Sequence, residues 1–103
     1  MTDEYLANAL TALGQPMRLS LYRLLVEAGE AGSGPVALAS SAGIPRNLVS
    51  YHLQPLVAAG LLKTERRGSY VIYSVELFGI QKLVTAILAL AIPDARPDET
   101  IED

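Results

Sequence analysis

The chain contains no cysteine and only one histidine among its 103 residues. Without thiols it can form no disulfide, no thiolate metal site and no catalytic or redox-active cysteine. The single histidine, His52, cannot build a multi-histidine zinc site within one chain. The sequence therefore argues against most metalloenzymes and against thiol enzymes, and it predicts no metal and no cofactor.

Charged residues and long apolar runs are also scarce. Only 18% of the residues are charged while 50% are hydrophobic, which is the composition of a globular domain. The longest strongly apolar stretch, residues 83–92, is too short to span a bilayer. The acidic N-terminus lacks the basic segment of a secretory signal. We expect a cytoplasmic protein with no membrane partner.

The net charge of −3 hides a segregation of charge along the chain. Residues 1–4 carry −2 and residues 94–103 carry −4, whereas residues 5–93 carry +3. The acidic balance therefore does not argue against binding to nucleic acid. We predict one folded domain over residues 1–93, followed by an acidic tail at 94–103 that we expect to be mobile.

Hydropathy patterns predict five helices and one β-hairpin. Apolar residues at helical spacing, with proline at helix starts and glycine at helix ends, predict helices over residues 3–13, 16–28, 35–42, 45–59 and 77–91. Two extended runs at 62–66 and 70–75 predict strands, joined by a turn at residues 67–69. The predicted order is α-α-α-α-β-β-α.

The fourth predicted helix contains an internal proline, Pro55, and should end at Gly60 as its C-cap. Proline inside a helix lacks a hydrogen-bond donor and crowds the preceding turn, which costs about 3 kcal/mol. We therefore expect the helix to bend at Pro55 or to end early.

A short helix, a two-residue turn and a polar-faced helix make a helix-turn-helix, and the hairpin that follows makes it winged. Such a helix enters the major groove of DNA, where Arg46 suits guanine and Asn47 suits adenine. Cations on the hairpin suit phosphates or the minor groove. The predicted contacts to double-stranded DNA are Arg46, Asn47, Ser50, Tyr51, Gln54, Lys63, Arg66 and Arg67.

The last predicted helix is apolar on every side in its second half, residues 86–92. A helix that is apolar all round must be buried, and so small a body offers little surface to bury it. We therefore predict a homodimer that forms through the first and last helices. The predicted interface residues are Leu6, Leu10, Leu83, Val84, Ile87, Leu88, Leu90 and Ala91.

Three segments in this order resemble the ArsR/SmtB family of bacterial winged helix-turn-helix repressors, over roughly residues 6–90. The matching patterns are LGxPxRLxLxxLL, VSxHLxxLxxAGLL and RRGxxVxYSV. The resemblance implies a homodimeric repressor that binds a palindromic operator, reads it with the fourth helix and loses affinity when an effector binds. It also implies that His52 is a structural residue that packs and hydrogen-bonds at the base of the reading helix.

The chain departs from that family at its metal-sensing sites. The third-helix stretch that carries cysteines in the metal sensors reads Val36, Ala37 and Leu38, and the last helix has no histidine. The resemblance thus extends to DNA binding and dimerisation and not to metal sensing through thiolates. Any effector is an unidentified small molecule, and its existence stays open.

Two other classes of function are weighed against this one. A winged helix can be a protein–protein interaction module that binds no operator, and a monomer without salt-sensitive DNA binding would favour that alternative. An enzyme is disfavoured because the sequence shows no nucleophile–base pair, paired carboxylates or phosphate-binding loop.

Overall fold

The computed structural model describes residues 2–92, and the predicted acidic tail lies outside them. Within this part of the chain, five α-helices surround the base of a two-stranded antiparallel hairpin. In chain order the elements are α1 (Asp3–Leu13), α2 (Pro16–Ala28), a 3-10 turn (Gly29–Ala31), α3 (Pro35–Ala42), α4 (Arg46–Ala58), β1 (Leu62–Arg67), β2 (Tyr70–Val75) and α5 (Leu77–Ala91). This confirms the predicted winged helix-turn-helix.

Local signals set the ends of α2 and α3. Proline occupies the first turn of both helices, where its missing N–H costs no hydrogen bond. Gly43 follows α3 in the left-handed conformation, at φ 71° and ψ 34°, and its N–H donates to the carbonyl of Ala39. These residues predict the same bounds for the two helices that the structure shows.

The bounds of α4 differ slightly from the prediction. Pro45 is extended, at ψ 145°, so it precedes the helix as its N-cap and the turn after α3 has three residues rather than two. At the other end α4 stops at Ala58, and Gly60 follows the cap with φ 77°. Pro55 does not end the helix early, because it lies within the last turn and frees only one carbonyl, that of Tyr51.

The core is apolar and draws on every helix and both strands. No polar or charged residue is buried within residues 2–92. The largest fully buried side chains are Leu21, Leu25, Leu38, Val49, Leu53, Leu56 and Leu61. They come from α2, α3, α4 and the start of the hairpin, so the core holds the helix-turn-helix against the base of the wing.

The wing is a hairpin with a two-residue turn. Arg67 pairs with Tyr70, so Arg67 belongs to β1 and the predicted three-residue turn is wrong. Gly68 has φ 62°, which glycine adopts without strain. Beyond β2, Ser33 exchanges two backbone hydrogen bonds of 2.9 Å with Tyr73, so β2 lies between β1 and the segment that leads into α3.

The first and last helices both meet the C-terminal end of α4. The Tyr5 hydroxyl on α1 donates to the carbonyl of Ala59 at 2.6 Å. Gly79 on α5 is buried directly against the carbonyl of Gly60. The two helices predicted to form the dimer are thereby anchored to the helix predicted to read DNA.

Candidate nucleic-acid interface

The N-terminal end of α4 is exposed and electropositive. Pro45 supplies no side-chain cap, and the first N–H groups of a helix have no intrahelical partner. Arg46 and Asn47 are both exposed there, and the first turn contains no acidic residue. The helix dipole and the Arg46 guanidinium therefore act in the same direction and favour an anion such as phosphate.

The outer face of α4 brings the predicted reading residues together. Positions 46, 47, 50, 51 and 54 follow helical spacing, and all five side chains are exposed. On the opposite face Val49, Leu53 and Leu56 are buried in the core. Tyr51 is 69% exposed, which makes it one of the most exposed apolar side chains on this face.

Ser50 differs from its neighbours because it already has a partner in the protein. Its hydroxyl shares a hydrogen bond of 3.1 Å with the hydroxyl of Tyr73, a buried residue of β2. Since Tyr73 also pairs through its backbone with Ser33, one residue joins the reading helix, the wing and the segment before α3. This bond positions α4 relative to the wing.

Replacing Tyr73 with phenylalanine should remove this bond and keep the buried ring. A net hydrogen bond contributes about 0.5–1.5 kcal/mol, so we expect the free energy of unfolding to fall by that amount in urea denaturation. Ser50→Ala should cause a similar loss, and the double variant should lose no more than either single one. Tyr70→Phe is the matched control, because that tyrosine is exposed. Additive losses in the double variant would show that the two hydroxyls do not interact.

The three predicted wing cations do not share one face of the hairpin. Side chains alternate along a strand, so Lys63 and Arg67 lie on one face and Arg66 lies on the other. Arg67 also forms an ion pair with Glu65 at 3.1 Å, although both side chains are largely exposed. An exposed pair of this kind contributes little and leaves Arg67 available to a phosphate.

A groove separates the N-terminal end of α4 from the tip of the wing. Its volume is about 630 Å³, and Arg46, Asn47 and Ser50 line one side of it. The other lining residues were not among the predicted DNA contacts, and two of them are strongly exposed: Val36 of α3 at 62% and Tyr70 of β2 at 67%. In the sequence, only the position of Tyr70 beside a cationic hairpin turn indicates that it could lie at this groove.

His52 packs against Tyr51 on α4, which agrees with the packing role that the resemblance implies. Its ring contacts the edge of Tyr51, with centroids 5.3 Å apart and planes at 70°. The expected hydrogen bond is absent at its buried Nδ1, which has no partner among residues 2–92. The His52 ring therefore packs as expected, whereas the expected hydrogen bond is not formed by Nδ1.

The predicted dimer residues fall into two groups. Leu6 and Leu83 are buried in the core of the single chain, at 6% and 3% exposure. The other six remain exposed or partly exposed, which leaves them free to cover another molecule. They are Leu10, Val84, Ile87, Leu88, Leu90 and Ala91.

No group of three or more histidine, cysteine, aspartate or glutamate side chains between residues 2 and 92 is placed to hold a metal ion. No helix in that range is both long and apolar enough to cross a membrane.

Comparison with known proteins identifies the same architecture. A family model described as a helix-turn-helix domain matches residues 13–65. An ArsR-like transcriptional regulator from Rhodococcus sp. RHA1 is similar to this chain with a TM-score of 0.73 and 23% identity, over 87% of this chain and 82% of that one. NolR from Sinorhizobium fredii has a TM-score of 0.65 and 28% identity, with 84% of each chain covered.

The solution structure of a homodimeric winged helix-turn-helix DNA-binding domain from Mycobacterium bovis is also similar, with a TM-score of 0.66 and 20% identity over 97% of both chains. None of the curated proteins matched the sequence. The matched family model spans more than half of the chain, from the end of α1 to the first residues of β1. The chain therefore belongs to the helix-turn-helix domain family, in the winged form that ArsR-type transcriptional regulators share.

Proposed function

We propose that this chain is a homodimeric, sequence-specific repressor that binds a palindromic operator in double-stranded DNA. The observation that carries the proposal is the exposed N-terminal end of α4, with Arg46 and Asn47, across one groove from Tyr70 and Val71 of the wing. The wing also carries Arg66 and Arg67 beside its turn. In this arrangement α4 enters the major groove and reads base edges, while the wing contacts phosphates or the adjacent minor groove. Repression rather than activation is proposed on the resemblance to the ArsR/SmtB repressors alone.

The distribution of charge supports this orientation on DNA. Between residues 35 and 75 the chain has four cations, Arg46, Lys63, Arg66 and Arg67, and one carboxylate, Glu65. The described residues outside that segment have more carboxylates than cations. The helix-turn-helix and wing therefore form the positive side of the domain, which attracts phosphate. The rest of the described chain is net negative and repels it.

The proposal is tested by fluorescence anisotropy on duplex DNA from upstream of the gene, with a scrambled duplex of equal length as the control. We expect a clear preference for the native duplex and binding that weakens steeply with salt. Arg66→Ala with Arg67→Ala should weaken binding to both duplexes alike and lower the salt slope by about 2. Arg23→Ala is the matched control, since Arg23 is exposed on α2, away from the groove.

Three outcomes of this experiment would count against the proposal. Absence of binding at low salt would reject DNA recognition and favour the protein-interaction module. A salt slope that the double wing variant leaves unchanged would remove the wing from the DNA interface. A transcriptional reporter whose output rises when the protein is present would reject repression.

A second copy of the chain is the proposed partner of the exposed apolar face on α5. Val84, Ile87, Leu88 and Leu90 are all exposed, and Leu90 is 64% accessible. Leu10 on α1 is also exposed, and α1 packs beside α5. A C₂ dimer uses the same patch on both copies and would place two reading helices about one helical turn apart, roughly 34 Å.

Leu88→Glu should convert the dimer to a monomer. The substitution places one carboxylate from each copy at an apolar interface, and an uncompensated buried charge costs about 3–5 kcal/mol. We expect the dissociation constant to rise at least about 100-fold, measured by analytical ultracentrifugation. Val26→Glu, at an exposed apolar residue on α2, is the control and should leave the dimer intact. A variant at Leu88 that stays dimeric would place the interface elsewhere.

A further inference from the structure

A second cavity lies on another part of the molecule, between the end of α2, the base of the wing and the start of α5. Its volume is about 470 Å³, which is within the usual range for small-molecule sites of about 300–1,000 Å³. Leu25, Val26, Val75 and Leu77 supply its apolar lining. Among the residues proposed to contact DNA or a second copy, only Lys63 lines it, so the proposed function does not account for the rest of this cavity.

Two apolar residues at this cavity are unusually exposed. Val26 and Leu77 are each more than half accessible to solvent. Leu25 beside them is fully buried, so the apolar surface runs continuously from the rim into the core. A flat apolar group that enters the cavity removes this surface from water, which is the main source of affinity for a small ligand.

Tyr22 contributes a polar group that the protein does not use. The residue is partly buried in the cavity wall, and burial raises the pKa of its phenol. Its hydroxyl makes no hydrogen bond with any other residue that the structure describes. A partly desolvated phenol hydroxyl without a partner in the protein can accept a hydrogen bond from a ligand and donate one to it.

The charges around the cavity favour a cation. Glu30 and Glu76 both line it and neither forms an ion pair within residues 2–92. One oxygen of Glu76 accepts the N–H of Phe78 at 3.2 Å, and the other oxygen is left for a second partner. Lys63 is the only cation in the lining, so the cavity has a net negative charge and disfavours a carboxylate or phosphate.

We propose that this cavity binds a small organic amine, with a flat apolar body against Val26 and Leu77 and an ammonium group between Glu30 and Glu76. The Tyr22 hydroxyl accepts a further hydrogen bond from the ammonium. The bound amine would contact both the base of the wing and the first turn of α5. This inference goes beyond the proposed function and does not depend on it, because the ligand is measured without DNA.

Three probes that share the indole ring and differ in charge test the proposal: tryptamine, indole and indole-3-acetate. The chain has no tryptophan, so the probe's own fluorescence anisotropy reports its binding to the intact protein. We expect tryptamine to bind most tightly and indole-3-acetate most weakly. Glu30→Gln with Glu76→Gln should weaken tryptamine by about five- to tenfold, since each partly exposed charge pair contributes up to roughly fivefold, and should leave indole unchanged.

Two further variants separate the effect of the cavity carboxylates from that of the Tyr22 hydroxyl on tryptamine affinity. Glu27→Gln removes an exposed carboxylate of α2 that does not line the cavity, and it should leave tryptamine affinity unchanged. Tyr22→Phe keeps the ring and should weaken tryptamine by a few fold through the lost hydrogen bond. Glutamine at position 76 still accepts the N–H of Phe78, so circular dichroism should show the same helix content in every variant.

Each contrary result would overturn a stated part of the proposal. Equal or tighter binding of indole-3-acetate would reject the assignment of a cation. Tryptamine affinity that is unchanged in the double glutamine variant would place the probe outside this cavity. Absence of binding by all three probes at millimolar concentration would reject the cavity as a site for such ligands.

Discussion

Arg46→Ala is expected to abolish most of the discrimination at one base pair of the operator, while binding to unrelated duplexes changes little. Arg46 is exposed in the first turn of α4, where a reading helix meets base edges. A bidentate arginine–guanine contact contributes about 1–3 kcal/mol of discrimination, so the native operator should lose roughly 5- to 150-fold in affinity. A scrambled duplex offers no such contact and should lose far less.

The measurement compares dissociation constants on the native duplex, on a scrambled duplex and on duplexes with single base-pair changes. In wild type, one substituted base pair per half-site should weaken binding strongly, and Arg46→Ala should be insensitive to that same change. Arg46→Lys is the informative control, because it keeps the charge and loses the planar fork that pairs with guanine. Equal loss on every duplex for Arg46→Ala would assign Arg46 to phosphate rather than to a base.

Gly79→Ala is expected to cause a large loss of stability for the addition of a single methyl group. A Cβ at this position would lie 2.9 Å from the carbonyl carbon of Gly60 and closer still to its oxygen. Both atoms are backbone, so α5 must move away from the turn after α4. Such overpacking costs about 1–3 kcal/mol, and displacement of a whole helix places the expected loss at the upper end of that range.

Helix propensity alone would raise the stability on Gly79→Ala, whereas the contact with Gly60 lowers it. Alanine inside a helix is favoured over glycine by about 1 kcal/mol, so an isolated α5 would gain stability. In the folded chain we expect the melting temperature to fall by roughly 10–20 °C, since 1 kcal/mol corresponds to about 4–8 °C for a domain of this size. Protein concentration must be fixed, because dimerisation also stabilises the fold.

Gly34→Ala provides the control for adding a methyl group to a glycine. A Cβ there meets its nearest neighbours at 3.6 Å, which is an ordinary contact, so the loss should stay below about 1 kcal/mol. If Gly79→Ala melts at or above the wild-type temperature, α5 does not press on the Gly60 turn. In that case the helix proposed for dimerisation would not be rigidly joined to the helix proposed for reading DNA.

The contacts around Gly60 link the proposed dimer interface to the helix that is proposed to read DNA. Tyr5 on α1 and Gly79 on α5 both contact the short stretch that ends α4. Two reading helices in a dimer must hold a fixed separation to match two half-sites. Direct packing of both dimerisation helices against the end of α4 is the simplest way to transmit that separation.

Local sequence signals are sufficient to predict the order of the elements and most of their bounds. Pro16, Pro35 and Gly43 act on the backbone of their immediate neighbours, so their effects appear in the local sequence and need no tertiary context. The same holds for the exposed stripe on α4, because helical spacing alone places its polar residues opposite the core. The lack of cysteine is likewise a property of the sequence alone, and it argues against sensing through thiolates in this chain.

Which side chains contact one another depends on the packing of the elements and could not be predicted from local patterns. The hydrogen bond between Ser50 and Tyr73 joins residues 23 positions apart, and no periodic pattern encodes it. The same applies to the contact of Gly79 with Gly60 and to the burial of Leu6 and Leu83 within one chain. Local patterns specify which face of an element is apolar, whereas the neighbour that covers that face depends on how the elements pack together.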